Sequence, residues 1–179
     1  MDIQNFYKGF SFDCYKYLGC HLQNNGAIFR TFAPNAKNIS IIGSFTGWNE
    51  TSMHQTLDGN FWEVFIPNAR EGDMYKYRIY RPDGHVVEHC DPYGFGMELR
   101  PNSASIVRNL YGYEFKDEAW LEKRCDHKKK PLNIYELHLG SWRTNCEDEN
   151  GWYNYREIAD KLIPYVKENG YNYVEVLPI

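Results

Sequence analysis

Glu136 and Glu175 are the first residues to weigh as chemistry, because two carboxylates on neighbouring strands could serve as an acid and a base or nucleophile. Each alternates with apolar neighbours, in NIYEL and YVEVL, which is the pattern of ordinary strand residues. His138, in ELHLGSW, stands near the end of the first of these strands, where a hydrogen-bonded structural role is the simpler reading. The acidic run Glu147-Asp148-Glu149 reads as a solvated loop. Trp48, in GSFTGW, follows a strand in a Gly-containing loop where its ring need not be buried, whereas Trp62 shares its register with Val64 and Ile66 and belongs to a core. There is no G-x-S-x-G, no Cys-His motif and no Gly-rich phosphate loop, so the chain does not display the parts of a complete small hydrolase.

Metal and redox chemistry are not signalled either. The five cysteines, Cys14, Cys20, Cys90, Cys125 and Cys146, are spread without C-x-x-C spacing, and none of the six histidines pairs at i, i+4 with another His or with Cys. They read as reduced thiols, with no metal and no cofactor implied. With 24 acidic and 20 basic side chains the net charge is -4, which offers no broad attraction for nucleic acid or an anionic membrane. The basic cluster Lys128 to Lys130 reads as a solvated linker. The start, MDIQNFYKGFSFD, lacks an apolar run of the length a signal peptide or membrane span needs, so a cytoplasmic location is expected.

The elements that must position these residues fall into two periods. From Gly26 to about Val107, short runs alternate between apolar and polar residues and are separated by turn chemistry, the signature of an antiparallel sandwich. Ala27 to Ala33 is the first run, and Asn38 to Gly43 the second, with Ile39 and Ile41 on one face and Ile42 on the other. Phe61 to Ile66 follows. Met74 to Arg81 then places Tyr75, Tyr77 and Ile79 opposite Lys76 and Arg78, Pro82-Asp83-Gly84 turns the chain into His85 to His89, and Ala104 to Val107 closes the set.

From Asp126 the period changes. Ile134 to Leu139 is a strand candidate; Tyr155, Ile158, Ala159, Leu162, Ile163 and Val166 recur at helical spacing; Tyr173 to Ile179 predicts a second, buried strand. Asn154 with Glu157 suits an N-terminal cap and Gly170 a C-terminal one, while Pro164 is expected to kink or split the helix. This is one right-handed β-α-β unit that does not continue. Alone it leaves apolar surface and a sheet edge uncovered, so it is expected to be mobile, to self-associate or to pack against the sandwich.

The stretch NIYELHLGSWR, Asn133 to Arg143, with YREIADKLIPYVKENGYNYVEVLPI, Tyr155 to Ile179, closely resembles the start of the catalytic barrel of bacterial 1,4-alpha-glucan branching enzymes. Upstream, FRTFAPNAKNISIIGSFTGWNE (Phe29 to Glu50), YKYRIYRPDGHVVEHCDPYGF (Tyr75 to Phe95) and ELRPNSASIV (Glu98 to Val107) resemble the glycogen- and starch-binding module that precedes it. Debranching enzymes and trehalose-forming hydrolases of the alpha-amylase clan share this layout, but the DPY turn together with HLGSWR favours the branching enzymes. The resemblance implies an N-terminal arm at 1–20, an immunoglobulin-like carbohydrate-binding module at 21–112, a linker at 113–132, and the first β-α-β unit of a truncated barrel at 133–179. The expected fold is an all-β immunoglobulin-like sandwich followed by the incomplete start of a (β/α)8 barrel.

The family's reaction cuts an α-1,4 link, holds the glucan covalently and passes it to a 6-hydroxyl, with retention that needs two carboxyl groups ~5 Å apart. The resemblance places those groups after later barrel strands, so no catalytic residue is assigned here, and the chain is expected to be inactive on its own. The implied partner is an α-glucan such as glycogen or amylose. Trp48 is the candidate for stacking on a glucose ring, and Lys76 matches a lysine that contacts sugar in related modules. One departure is His85, which stands where glycogen-sensing relatives carry a second stacking Trp. The alternative is a stand-alone glucan-binding or regulatory module without catalysis.

Overall fold

The computed structural model describes residues 1–125 and 130–178. It divides into two compact units, Met1–Glu114 and Phe115–Ile179.

In the first unit, helix α1 (Ile3–Tyr7) precedes strands β1 (Gly19–Gln23), β2 (Gly26–Phe32) and β3 (Asn38–Gly43). A 3₁₀ turn at Ser44–Thr46 leads into β4 (Thr51–Ser52), β5 (His54–Thr56), β6 (Phe61–Pro67), β7 (Met74–Tyr80), β8 (Val86–His89) and β9 (Ser105–Ile106). One sheet has the order β1-β2-β6-β5 and the other β4-β3-β7-β8, with β9 also pairing β7. All of these pairings are antiparallel.

The alternation fixes which side of each strand is buried. Ile39, Ile41, Tyr75 and Tyr77 from one sheet meet Ala27, Phe29, Trp62, Val64 and Ile66 from the other in a single core. The Phe29 and Tyr75 rings meet edge-on, 4.8 Å between centres. Trp62 is core as expected, and its indole N–H donates to the Ala33 carbonyl at 3.2 Å. This is an all-β sandwich. The DPY turn closes it from below: Asp91, only 3% exposed, accepts the hydroxyls of Tyr75 (2.8 Å) and Tyr77 (3.0 Å) on Oδ2 and the Tyr93 N–H (2.8 Å) on Oδ1.

The N-terminal arm covers part of the outer side of the first sheet. Phe6 packs edge-on against Phe32 and Phe61, which are cross-strand partners facing away from the core. Tyr7 donates its hydroxyl to Asp58 at 2.6 Å and so pins the arm to the β5–β6 turn.

The second unit contains α2 (Glu118–Lys123), β10 (Ile134–Leu137), a single helical turn α3 (Leu139–Trp142), α4 (Tyr155–Glu168) and β11 (Tyr173–Val176). Helix α2 lies inside the 113–132 stretch expected as a linker; Lys128 and Lys129 of the basic cluster lie outside the described residues. Strands β10 and β11 pair in parallel, with Ile134 beside Tyr173 and Leu137 beside Val176. Ile158, Leu162 and Val166 of α4 pack on Leu137, with Tyr135 and Tyr165 at the margin.

The expected caps are present. Asn154 Oδ1 accepts from the Arg156 and Glu157 amides while Glu157 returns a bond to the Asn154 N–H at 2.8 Å. Gly170, at φ +76°, follows the last turn in the left-handed conformation that suits a helix end.

Two expectations need correcting. Pro164 does not split α4: one helix runs from Tyr155 to Glu168 with the proline inside it. The carbonyl that proline cannot satisfy belongs to Asp160, an exposed residue, so the lost bond lies on the solvent side of the helix. The second strand is not buried either, since all four residues of β11 are exposed. Helix α4 covers β10 through Leu137 and leaves β11 to solvent.

Candidate functional site

Trp48 and Lys76 sit at the same end of the β3–β7 pair. Gly43, the last residue of β3, faces Tyr75, and Ile42 faces Lys76. The Trp48 N–H donates back to the Gly43 carbonyl at 2.8 Å, so the indole is carried on the turn that leaves this strand end. That turn is fixed by its own side chains. Thr46 Oγ1 donates to the carbonyl of Gly43 or of Asn49, at 3.1 and 2.8 Å, and Asn49 Nδ2 donates to the Thr46 carbonyl at 2.9 Å.

Trp48 is 42% exposed and adopts φ +64°. A tryptophan held in the left-handed region stores roughly 1–3 kcal/mol of backbone strain, and such strain gathers at sites where a side chain must be aimed. Gly43 permits the arrangement, because a Cβ there would lie 2.5 Å from the Met74 carbonyl oxygen and 2.7 Å from the Phe45 ring.

Lys76 is half-buried on the outward face of β7, and among the described residues its ammonium makes no hydrogen bond or ion pair. The next outward positions along the same strand are fully engaged. Arg78 donates to Glu50 from Nη1 (2.6 Å) and to Glu88 from Nη2 (2.6 Å) and Nε (3.1 Å), and Tyr80 donates its hydroxyl to Glu50 at 2.6 Å. The Tyr80 hydroxyl and then the Arg78 guanidinium hold the Glu50 carboxyl below its ordinary range. This strand end therefore carries an exposed indole, and the outward face of β7 an uncommitted ammonium and a clamped row of carboxylate and hydroxyl oxygens. Flat amphipathic rings with hydroxyl rims suit such a surface, with their C–H face on the indole and their oxygens on the polar row.

Sequence reasoning singled out Trp48 and Lys76 and passed over Glu50, Arg78, Tyr80 and Glu88. Lys76, Arg78 and Tyr80 stand at i, i+2 and i+4, so the alternation that aimed Tyr75 and Tyr77 inward already aimed these outward. Glu88 follows from the hairpin register that sets it opposite Arg78. Glu50 had no such signal, because it reaches Arg78 from across the sheet. His85 is exposed in the β7–β8 turn, with Nδ1 3.3 Å from Asp83 Oδ1.

In the second unit, Glu136 and Glu175 are register partners on the side of the sheet away from Leu137. His138 lies beyond the end of β10, its Nδ1 3.2 Å from Ser141 Oγ. The acidic run is an exposed loop, as expected, in which Asp148 Oδ1 accepts from the Asn150 N–H (2.9 Å) and the Trp152 N–H (3.1 Å). Among the described residues no helix is long and apolar enough to cross a membrane.

Residues 17–94 match carbohydrate-binding module 48, the isoamylase N-terminal domain. The chain is 43% identical over 206 aligned residues to the 1,4-alpha-glucan branching enzyme GlgB of Synechocystis sp., covering 99% of this chain and 27% of that protein. It is 40% identical over 187 residues to GlgB of Bacillus caldolyticus, covering 100% and 28%. It thus spans little more than a quarter of the length of these relatives. The apo pullulanase of Klebsiella pneumoniae matches in fold, with a TM-score of 0.65 at 20% identity over 90% of this chain and 20% of that one. Residues 17–94 thus carry the module, and along its whole length the chain is similar to the N-terminal part of bacterial 1,4-alpha-glucan branching enzymes.

Proposed function

We propose that this chain is the N-terminal portion of a glycosyltransferase that makes α-1,6 branches in glycogen by moving α-1,4-glucan segments through a retaining mechanism. The observation that carries this reading is the 43% identity to a branching enzyme over 99% of the chain. The immunoglobulin-like sandwich holds an α-glucan at Trp48 and Lys76, and β10–α4–β11 is the first β-α-β unit of a (β/α)8 barrel. The parallel pairing of β10 with β11 around α4 supports the barrel start. Retention requires two carboxyl groups ~5 Å apart on opposite faces of the reacting sugar. Neither role falls to a residue of this chain, so its contribution is to hold the polymer near chemistry done by other strands.

The same uncovered strand speaks against a stand-alone regulatory module. Tyr173, Val174, Val176 and Leu177 are all exposed, a pattern suited to further barrel strands rather than to water.

Retardation of the chain in native gels cast with amylose tests the binding half. With one stacked ring and one ammonium, a dissociation constant of roughly millimolar, about -4 kcal/mol, is expected. Trp48→Ala should abolish the retardation and Lys76→Ala should weaken it, and unchanged mobility of both variants would refute the site. Iodine staining of amylose tests the catalytic half: the 179-residue chain should leave it unchanged. A loss of stain that vanished in Glu136→Gln would overturn the assignment of catalysis elsewhere.

A further inference from the structure

The two sheets of the sandwich do not cover each other everywhere. Tyr77 of β7 is core, 1% exposed, yet its register partner on β8, His89, lies on the same face and is exposed. Val87, the partner of Ile79, is half-buried. Cover therefore ends between β7 and β8. A cleft of about 410 Å³ opens there, within the size range of small-molecule sites. One wall is the β2–β3 turn at 33–36, and the other is formed by Ile79, Arg81, Val87 and His89 of the β7–β8 hairpin.

Both walls are held by bonds made away from the cleft. Ala33 donates its N–H to the Asn60 carbonyl at 2.9 Å, and its carbonyl accepts the Trp62 indole at 3.2 Å and the Ala36 N–H at 3.3 Å. The Lys37 N–H then ties the end of the turn to the Tyr80 carbonyl at 2.8 Å. Across the cleft, the Arg81 N–H donates to the His85 carbonyl (2.9 Å) and the Gly84 N–H to the Arg81 carbonyl (3.1 Å). Gly84, at φ +87°, supplies the left-handed turn that this closure needs. Walls already ordered in this way lose little freedom when a ligand enters.

The lining joins two kinds of chemistry. Ala33, Pro34, Ala36, Ile79 and Val87 are aliphatic, and none of the lining residues is Asp or Glu. The basic groups are the Arg81 guanidinium and the His89 imidazole, and among the described residues neither side chain makes a hydrogen bond. Among those residues the one carboxylate in ion-pair range of Arg81 is that of Asp83, with Oδ2 4.0 Å from Nε, too far for a hydrogen bond. Its Oδ1 is already engaged by His85, at 3.0 Å from the N–H and 3.3 Å from Nδ1. A guanidinium with its fork open beside an aliphatic floor suits a planar carboxylate that carries a hydrocarbon body. An α-glucan, by contrast, would bring hydroxyls against walls that offer them no acceptor.

We propose that this cleft binds a small anionic amphipath, a monocarboxylate whose head pairs with Arg81 and His89 and whose hydrocarbon tail lies on Ile79 and Val87. The site shares no residue with the candidate glucan site, whose Lys76, Arg78 and Glu88 lie on the outward face of the same two strands. It therefore stands independently of the glucan reading.

The test is a titration of the ¹⁵N-labelled full chain with sodium octanoate, following the backbone amides of Ala36, Ile79, Val87 and His89. They should shift together and saturate with a dissociation constant of roughly 0.1–1 mM, the range for a ligand of this size. Octanol, the tail without the charge, and acetate, the charge without the tail, should each bind roughly tenfold more weakly or worse. Arg81→Gln changes an exposed side chain and should weaken octanoate about tenfold, one charge-assisted hydrogen bond's worth. Equal saturation by octanol, or undiminished affinity in Arg81→Gln, overturns the anionic head and the proposal with it. Octanoate shifts as large along the exposed strand β11 as in the cleft mean unselective adsorption and also overturn it. Saturation of the cleft amides by maltoheptaose would make the cleft part of a glucan surface and overturn the assignment. Silence of these amides toward octanoate overturns the site and leaves the Trp48 reading, which amylose retardation tests separately. The wild-type titration needs no variant, so an Arg81→Gln chain that failed to fold would not remove the test.

Discussion

Replacing Asp91 with alanine is expected to remove about 3 kcal/mol from the stability of the sandwich. Its carboxylate accepts both the Tyr75 and the Tyr77 hydroxyl, and both rings are buried. A buried hydroxyl stripped of its partner costs about 1–3 kcal/mol, so two cost about 4 kcal/mol at the middle of that range. The Tyr93 amide is only part-buried, water can reach it, and it adds nothing to the sum. Against this, alanine relieves the strain of keeping a carboxylate away from water. Burial pushes the Asp91 carboxyl above its ordinary value in spite of the three bonds it accepts, and that relief offsets part of the loss.

A net 3 kcal/mol is a large share of a domain's typical 5–15 kcal/mol. Urea unfolding followed at the buried Trp62 indole resonance measures it, and a loss under 1 kcal/mol would refute the reasoning. The pH dependence has a definite sign. Because the folded state holds the Asp91 proton more tightly than the unfolded chain, its contribution is full below about pH 4 and is lost as pH rises through the folded value. The advantage of wild type over Asp91→Asn should therefore narrow from pH 4 toward neutrality. An advantage that widened would show that the hydrogen bonds, not burial, dominate the carboxyl.

Gly43→Ala should destabilise the sandwich by about 2 kcal/mol, since its Cβ would meet the Met74 carbonyl at 2.5 Å, and it should abolish amylose retardation by displacing the Trp48 turn. Retardation that survived a folded Gly43→Ala would detach Trp48 from binding. In the second unit, Asn154→Ala removes the side-chain half of the capping box and should cost about 1 kcal/mol, read as faster amide exchange along α4 with β2 and β6 unchanged. Pro164→Ala restores an N–H facing the Asp160 carbonyl and should slow the same exchange by about 2 kcal/mol; no slowing would mean that the helix had already relaxed around the proline.

The inner faces of the sandwich were legible because alternation is a local signal. Ile39 and Ile41, Trp62 with Val64 and Ile66, and Tyr75 with Tyr77 each declare their side within a few residues. Strand β1 was not legible, since GCHLQ has no clean alternation and is a strand because β2 offers it partners from Gly26 to Arg30. The arm was hidden for a related reason. FWEVFI is apolar on both faces, and only the fold shows that Phe6 takes the outer side of Phe61 while Phe65 stays exposed.

YVEVLPI misled in the same way with the opposite outcome. A strand apolar on both sides reads as buried, but its cover has to come from elsewhere, and α4 reaches only β10. Apolar patterning thus reports what a segment needs, while burial reports what the chain around it provides. The two diverge at β11, where the proposed barrel would resume.

The exposed aromatic rings diverge from composition in a more specific way. Aromatic residues make up 17% of the chain, so the presence of an exposed ring distinguishes nothing by itself. Trp48 and Trp152 differ from Phe12, which is also exposed, in what holds their backbones. One is locked to Gly43 and a Thr46–Asn49 turn in a strained left-handed conformation; the other is closed into a loop by Asp148 and Asn145. Keeping an apolar ring in water is unfavourable, and fixing the peptide beneath it adds conformational entropy to that cost. At the proposed Trp48 site both terms are recovered when a ligand covers a ring already in place. Because the locking bonds run between residues three or more positions apart, the fixing of these peptides shows only after the chain has folded, although the Gly-containing loop had already singled out Trp48.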